Sequence, residues 1–214
     1  MKKAFVLAMA AALTAAAWTP AMAKEKTTEV ETEAVSEEAS EAEQNTLVLS
    51  YEDIDPEVYD GVWVSTGYGF DLYLPSDWNV LDASEIDGAE DAGIVYMAQA
   101  EDALEDGTKA TVTVSAKKVD GIENLQQIYE ELDKTGEYSS LTYCDANGIP
   151  AVGFDSKEQN VSGLAFADTD GYMYVVAVTP NDNKDFAAAE RNIILSVSPT
   201  LTEESSSEAE TAEE

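Results

Sequence analysis

The run Phe70-Asp71-Leu72-Tyr73-Leu74 alternates large apolar side chains with polar ones, and Pro75-Ser76-Asp77 closes it. A period of two places Phe70, Leu72 and Leu74 on one face of an extended strand and Asp71 and Tyr73 on the other. Pro75 has no N–H for a ladder and Ser76-Asp77 supplies turn chemistry, so the strand ends there. Trp78, Val80 and Leu81 open a second extended run. The spacing predicts a first hairpin of a core, turning at the Pro-Ser-Asp corner. The Asp71/Tyr73 face becomes the leading contact surface on one condition, that no helix covers it.

Ahead of this core the chain carries an address. Lys2 and Lys3 form a short basic start, residues 4–17 are apolar or small apart from Thr14, and Ala21-Met22-Ala23 is an A-x-A cleavage site. These are the three parts of a secretory leader. The apolar run falls short of the roughly 20 residues a spanning helix needs, so an anchor is disfavoured. No Cys stands near the site, which excludes lipid attachment there. The expectation is a leader over 1–23, cleavage after Ala23, and a secreted or cell-envelope protein with no transmembrane segment once cleaved.

Charge narrows the partners. With 44 acidic against 11 basic residues the net charge is −33. Such a field repels nucleic acid and anionic membrane surfaces and favours solubility and cations. The chain has no His, which removes Ser-His-Asp and Cys-His nucleophile systems and zinc sites built on imidazole. The single Cys144 can form no intramolecular disulfide, and its setting among strand residues predicts a small buried side chain.

Residues 24–47 and 201–214 are rich in Glu, Ser, Thr and Ala and bear no aromatic ring. They bury too little apolar surface to offset ordering entropy and are expected to be solvated, disordered acidic segments. Residues 48–200 form one domain. Residues 61–65, 70–74, 78–81, 93–100, 110–117, 138–145, 149–155, 161–168 and 171–179 read as strands, with Asn147-Gly148 as a tight hairpin turn. Ile122, Leu125, Ile128, Tyr129 and Leu132 share one helical face, with Asp120 as the cap and Gly136 as the stop. A final helix carries Phe186, Ala187, Ala189, Ile193, Ile194 and Val197 on its apolar side. Strands, helix, strands, helix is the order of an α+β fold, an antiparallel sheet packed by two helices.

Phe70-x-Leu-x-Leu-Pro-Ser-x-Trp78, the helix over 122–132, the Tyr172-Met-Tyr-Val-Val176 strand and the helix from Phe186 through Ile193-Ile194 to Val197 together resemble the PsbP-like α/β/α sandwich. The resemblance spans most of residues 62–198. It implies that fold and a mostly non-enzymatic company: accessory subunits of photosynthetic complexes, Ran-binding factors and small exported bacterial proteins. Its motifs are packing motifs, so it carries no binding residue over.

Three kinds of chemistry are open. Asp168-Thr-Asp170-Gly171 matches the start of a calcium loop, and Asn181-Asp182-Asn183-Lys184-Asp185 matches the alternation of one. The first runs straight into a strand, and the second lacks the central Gly and the closing Glu. The acids at Asp87, Glu90 and Asp91, and at Glu101, Asp102, Glu105 and Asp106, read as solvated loops. Among the aromatics, Trp63, Tyr68, Tyr73, Trp78, Tyr96 and Tyr129 are candidates for a groove for peptide or carbohydrate, while the plainer reading places Trp63 and Trp78 in the core or its rim.

The reading is therefore a secreted, non-catalytic binding or accessory module whose partner is another secreted or cell-surface protein. No catalytic residue, cofactor or nucleic-acid partner is called for, and a metal site is left open. The alternatives are a weak calcium- or cation-binding surface protein, and a hydrolase using paired Asp/Glu carboxylates.

Overall fold

In the computed structural model, which describes residues 46–119, 122 and 124–200, one strand organises the rest. β10 (Tyr172–Thr179) is apolar almost throughout because both of its faces are buried. Tyr174, Val176 and Val178 point into one core and Met173, Val175 and Ala177 into another. Alternation along a single strand thus divides the molecule into layers.

β10 lies inside an eight-stranded sheet. Its strands are β1 (Leu47–Leu49), β4 (Asn79–Leu81), β5 (Ile94–Gln99), β6 (Thr111–Lys118), β7 (Ser140–Ala146), β8 (Ile149–Ser156), β9 (Val161–Ala167) and β10, in the order β1-β7-β8-β9-β10-β6-β5-β4. All pairings are antiparallel except β1 with β7. Asn147 (φ 53°) and Gly148 (φ 88°) form the tight β7–β8 turn, with Ala146 opposite Ile149.

Helix α1 (Leu125–Thr135) packs Ile128 and Leu132 on one face of this sheet, against Val152, Ala165 and Val175. Asn124 caps it: its side chain accepts from Gln127 N–H at 3.1 Å and Gln127 answers by accepting from Asn124 N–H at 3.2 Å. The cap is therefore Asn124, next to the first turn; Asp120 lies outside the described residues. Gly136 ends the helix in a left-handed conformation (φ 67°), as its position after the last turn implies.

The opposite face carries a second sheet, with β3 (Phe70–Pro75) between β2 (Gly61–Ser65) and β11 (Ser198–Pro199), and beside it helix α2 (Ala187–Leu195). Phe70, Leu72 and Leu74 face inward at 2% exposure or less and meet Val112, Val176, Ile193 and Val197. Each is worth about 1.5–3 kcal/mol of apolar burial. The Pro75 corner is not a hairpin: β3 leaves the small sheet there, and β4 joins the edge of the large one. The hairpin partner of β3 is β2, through the turn at residues 66–69. Proline and a β-bend look alike in sequence whether the chain folds back or crosses to another layer. The α+β class holds, and the second sheet is the element that alternation alone did not separate from the first. No helix among the described residues is long and apolar enough to cross a membrane. The residues of the expected leader, residues 24–45 of the N-terminal acidic segment and the C-terminal acidic segment lie outside the described ones; Leu47, placed at the end of that N-terminal segment, belongs instead to β1.

Candidate functional site

Because Phe70, Leu72 and Leu74 point inward, Asp71 and Tyr73 point outward, and the same parity holds for β2. Its Trp63 lies opposite Tyr73, and Ser65 opposite Asp71. No α-helix covers this outer face among the described residues; α1 packs on the far side of the large sheet, and α2 lies beside β3 and β10. Tyr51, from a 3₁₀ turn, and Tyr59 lie over part of the face.

Four aromatic rings gather here. Trp63 and Tyr73 lie 5.5 Å apart between centroids, Tyr59 stacks on Tyr73 at 5.4 Å, and Tyr51 meets Trp63 edge-on at 6.2 Å. Trp63 and Tyr51 remain 51% and 50% exposed. Tyr59 is held by donating from its hydroxyl to Tyr73 O at 2.9 Å, and burial, with Tyr73 close by, pushes its phenol well above the usual tyrosine range. Gly61 makes the stacking possible. A Cβ there would come within 2.4 Å of the Tyr73 ring and 2.8 Å of the Tyr59 ring, so the rings lie across bare backbone.

Tyr51 and Tyr59 belong to an arch, residues 51–60, that also carries Glu52, Asp53, Asp55, Glu57 and Asp60 and no basic residue. A 3₁₀ turn (Tyr51–Asp53) opens the arch, and α2 fixes it. Asn192 holds both backbone groups of Asp55, and Arg191 donates to Asp53 O at 3.1 Å. The site is a half-open aromatic row with an acidic border. Of the six aromatics singled out in the sequence, Trp63 and Tyr73 belong to it. Trp78 stacks on Phe186, Tyr129 on Tyr143, and Tyr68 leans on Tyr174. Tyr96 is half-buried, with a hydroxyl that finds no partner among the described residues and a phenol pushed up to about 12 by burial. Tyr51 and Tyr59 were missed because the arch has no periodicity, and an acidic segment of this kind reads only as a turn or short helix.

The other candidates are occupied with structure. Asp168 Oδ1 accepts from Asp170 and Tyr172 N–H at 2.9 and 2.8 Å, and its Oδ2 accepts from the Tyr174 hydroxyl at 3.1 Å, so the carboxylate closes its own turn. Asn183 Oδ1 accepts from Asp185 and Phe186 N–H at the entry to α2, and Asn181 donates to Val161 O at 2.8 Å. Asp106 accepts from Thr108 N–H and from Asn183, bonds that lower its pKa. No group of three or more acidic, Cys or His side chains is arranged for a metal among the described residues.

Two carboxylates do come together, at a place the sequence did not indicate. Glu190 of α2, 8% exposed, stands beside Ser162 and Asp155. Ser162 donates to Asp155 Oδ1 at 2.7 Å. Burial pushes Glu190 above the usual carboxylate range, Ser162 offsets part of this, and Asp155 adds to it. The nearest signal in the sequence was a Glu four residues after Phe186, on the stripe that should be apolar. The apolar cavity on the α1 side of the large sheet, about 40 Å³ and lined by Ile94, Thr113, Tyr138 and Val175, does not include this pair. Cys144 is buried as expected, and burial pushes its thiol up to about 11.

No protein-family model matches the chain, and no curated protein matches it. Among solved structures it is similar to cyanobacterial PsbP (CyanoP) from Synechocystis sp. PCC 6803, with 13% identity and a TM-score of 0.40 over 61% of this chain and 85% of that one.

Proposed function

We propose that this protein is an exported, non-catalytic accessory module that docks a positively charged partner protein through the outer face of its small sheet. The observation that supports this best is the half-exposed Trp63, set between Tyr51 and Tyr73 and bordered by the acidic arch. Rigid aromatic side chains give contact area at little entropic cost and dominate binding energy where they meet a partner. Lys and Arg are attracted both to their π-faces and to surrounding carboxylates. Export rests on Lys2-Lys3, the apolar run and the A-x-A site. The absence of His and the internal use of Asp168, Asn181 and Asn183 favour docking over catalysis or specific calcium binding.

The test compares capture of exported proteins by the wild-type chain with capture by Trp63→Ala and Val80→Ala, the latter altering an exposed apolar residue on β4. Loss with Trp63→Ala alone, and weakening by salt, is the expected outcome. Equal capture by all three sinks the proposal.

A further inference from the structure

The backbone of β2 carries the reading one step further. In an antiparallel pair, residues alternate between those whose N–H and C=O face the neighbouring strand and those whose groups face away. Ser76 N–H donates to Asp60 O at 2.8 Å and Thr66 N–H to Phe70 O at 3.2 Å, which fixes the phase. With Val62 opposite Leu74 and Val64 opposite Leu72, residues 60, 62, 64 and 66 bond to β3. The N–H and C=O groups of Gly61, Trp63 and Ser65 therefore point away from it. Among the described residues β2 is the end strand of the order β11-β3-β2, so these groups line an open edge there.

Proteins blunt such edges with charges, prolines, bulges or brevity. The other edges follow that rule: β1 and β4 have three residues each, and β11 has two and contains Pro199. β2 has five, Gly-Val-Trp-Val-Ser, without a charge or a proline, in a chain with 44 acidic residues. Val62 is 46% exposed on the inner side of the same edge.

We infer that β2 receives an added strand, an extended cationic segment of the partner protein. This rests on the docking role proposed above and specifies its mode. The added strand takes its main-chain bonds from Gly61, Trp63 and Ser65. Its outward side chains meet Trp63 and the acidic arch, which selects Lys or Arg. Its inward side chains meet Val62, which selects an aliphatic residue. A second copy is the poorer occupant, because pairing β2 with β2 brings two acidic arches and two chains of net charge −33 together.

The probe is a short peptide of alternating lysine and valine, titrated into the purified protein with Trp fluorescence and residue-resolved amide hydrogen exchange as readouts. Binding should slow exchange at Trp63 and Ser65, while Val62 and Val64, already bonded to β3, change little. Ser65→Pro removes one outward N–H without touching the β3 ladder and should weaken binding about tenfold. N-methylation of alternate peptide nitrogens should do the same with the protein unaltered, which covers the case of a misfolded proline variant. Binding that perturbs Trp63 without protecting these amides, and that ignores both changes, overturns strand addition and leaves side-chain docking standing. No binding at all overturns both. Protection of the same amides by self-association, without peptide, makes a second copy the occupant and overturns the cationic partner.

Discussion

Asn192 clasps the peptide groups of Asp55, accepting from its N–H at 3.1 Å and donating to its carbonyl at 2.8 Å. Asn192 is 1% exposed and sits on α2, 137 residues along the chain from the arch it holds. The acidic border of the aromatic row is thus anchored at Asp55 by one buried side chain, with Arg191 and Asn147 holding the arch at Asp53 and Tyr51.

Replacing Asn192 by Ala should cost about 2–3 kcal/mol, since it leaves part-buried backbone groups without partners. Urea unfolding followed by Trp fluorescence measures it. Docking should weaken further than stability alone explains, because the arch is released. An unchanged midpoint contradicts the clasp.

Asn147 joins three elements. Its side chain donates to Leu195 O and Val197 O, both at 2.8 Å, and accepts from Tyr51 N–H at 2.8 Å. Asn147→Gly keeps the left-handed turn (φ 53°) and loses these bonds, at about 2 kcal/mol. Asn147→Ala adds the strain of a left-handed alanine and should cost about 1 kcal/mol more. Equal stability of the two variants would show that the turn geometry carries no strain.

Glu190 makes stability depend on pH. Its folded pKa is raised above the unfolded value by burial, so the folded state binds its proton more tightly. The associated stability is fully present below the unfolded value and is lost as pH rises through the folded one. Urea midpoints measured across this range should therefore fall with rising pH more steeply for wild type than for Glu190→Gln. Parallel curves would assign the whole slope to the chain's general negative charge.

Cys144 should resist thiol reagents in the native state. Its thiol is pushed up to about 11 and is 1% exposed, so modification must wait for unfolding. The rate of labelling should rise with urea in step with the unfolded population. Rapid labelling in native buffer would contradict the packing of β7.

Gly61→Ala tests the aromatic row without altering an aromatic residue. The new methyl displaces the Tyr73 and Tyr59 rings, which lie within 3 Å of its position. Binding of the lysine–valine peptide should weaken several-fold, and stability should fall by about 1–3 kcal/mol, since Tyr59 packs against the core and must shift.

Most of the fold was legible because burial leaves a period. Phe70, Leu72 and Leu74 gave β3, and Ile128 and Leu132 gave α1. Asn147-Gly148 marked a turn by its need for positive φ. What periodicity does not encode is which layer a strand joins, so the Pro75 corner read as a hairpin when it is a crossing between sheets. The site was half legible. Tyr73 follows from strand parity, and the open outer face was identified as the condition to check. Trp63 read more plainly as core or rim, because an aromatic in a short apolar strand carries no mark of its side, and it is 51% exposed. Tyr51, Tyr59 and the Asn192 clasp depend on contacts between distant residues that leave no local pattern. Glu190 did leave one, as a polar break in an apolar stripe.

The central claim, that the outer face of the small sheet is the docking surface, is tested most directly by cross-linking in place. A benzophenone side chain substituted at Trp63, and separately at Tyr172, an exposed aromatic on β10, is irradiated in cells producing the protein. A discrete adduct with another protein from position 63, absent from position 172, is the expected result. No adduct from position 63, or the same adducts from both positions, would contradict the claim.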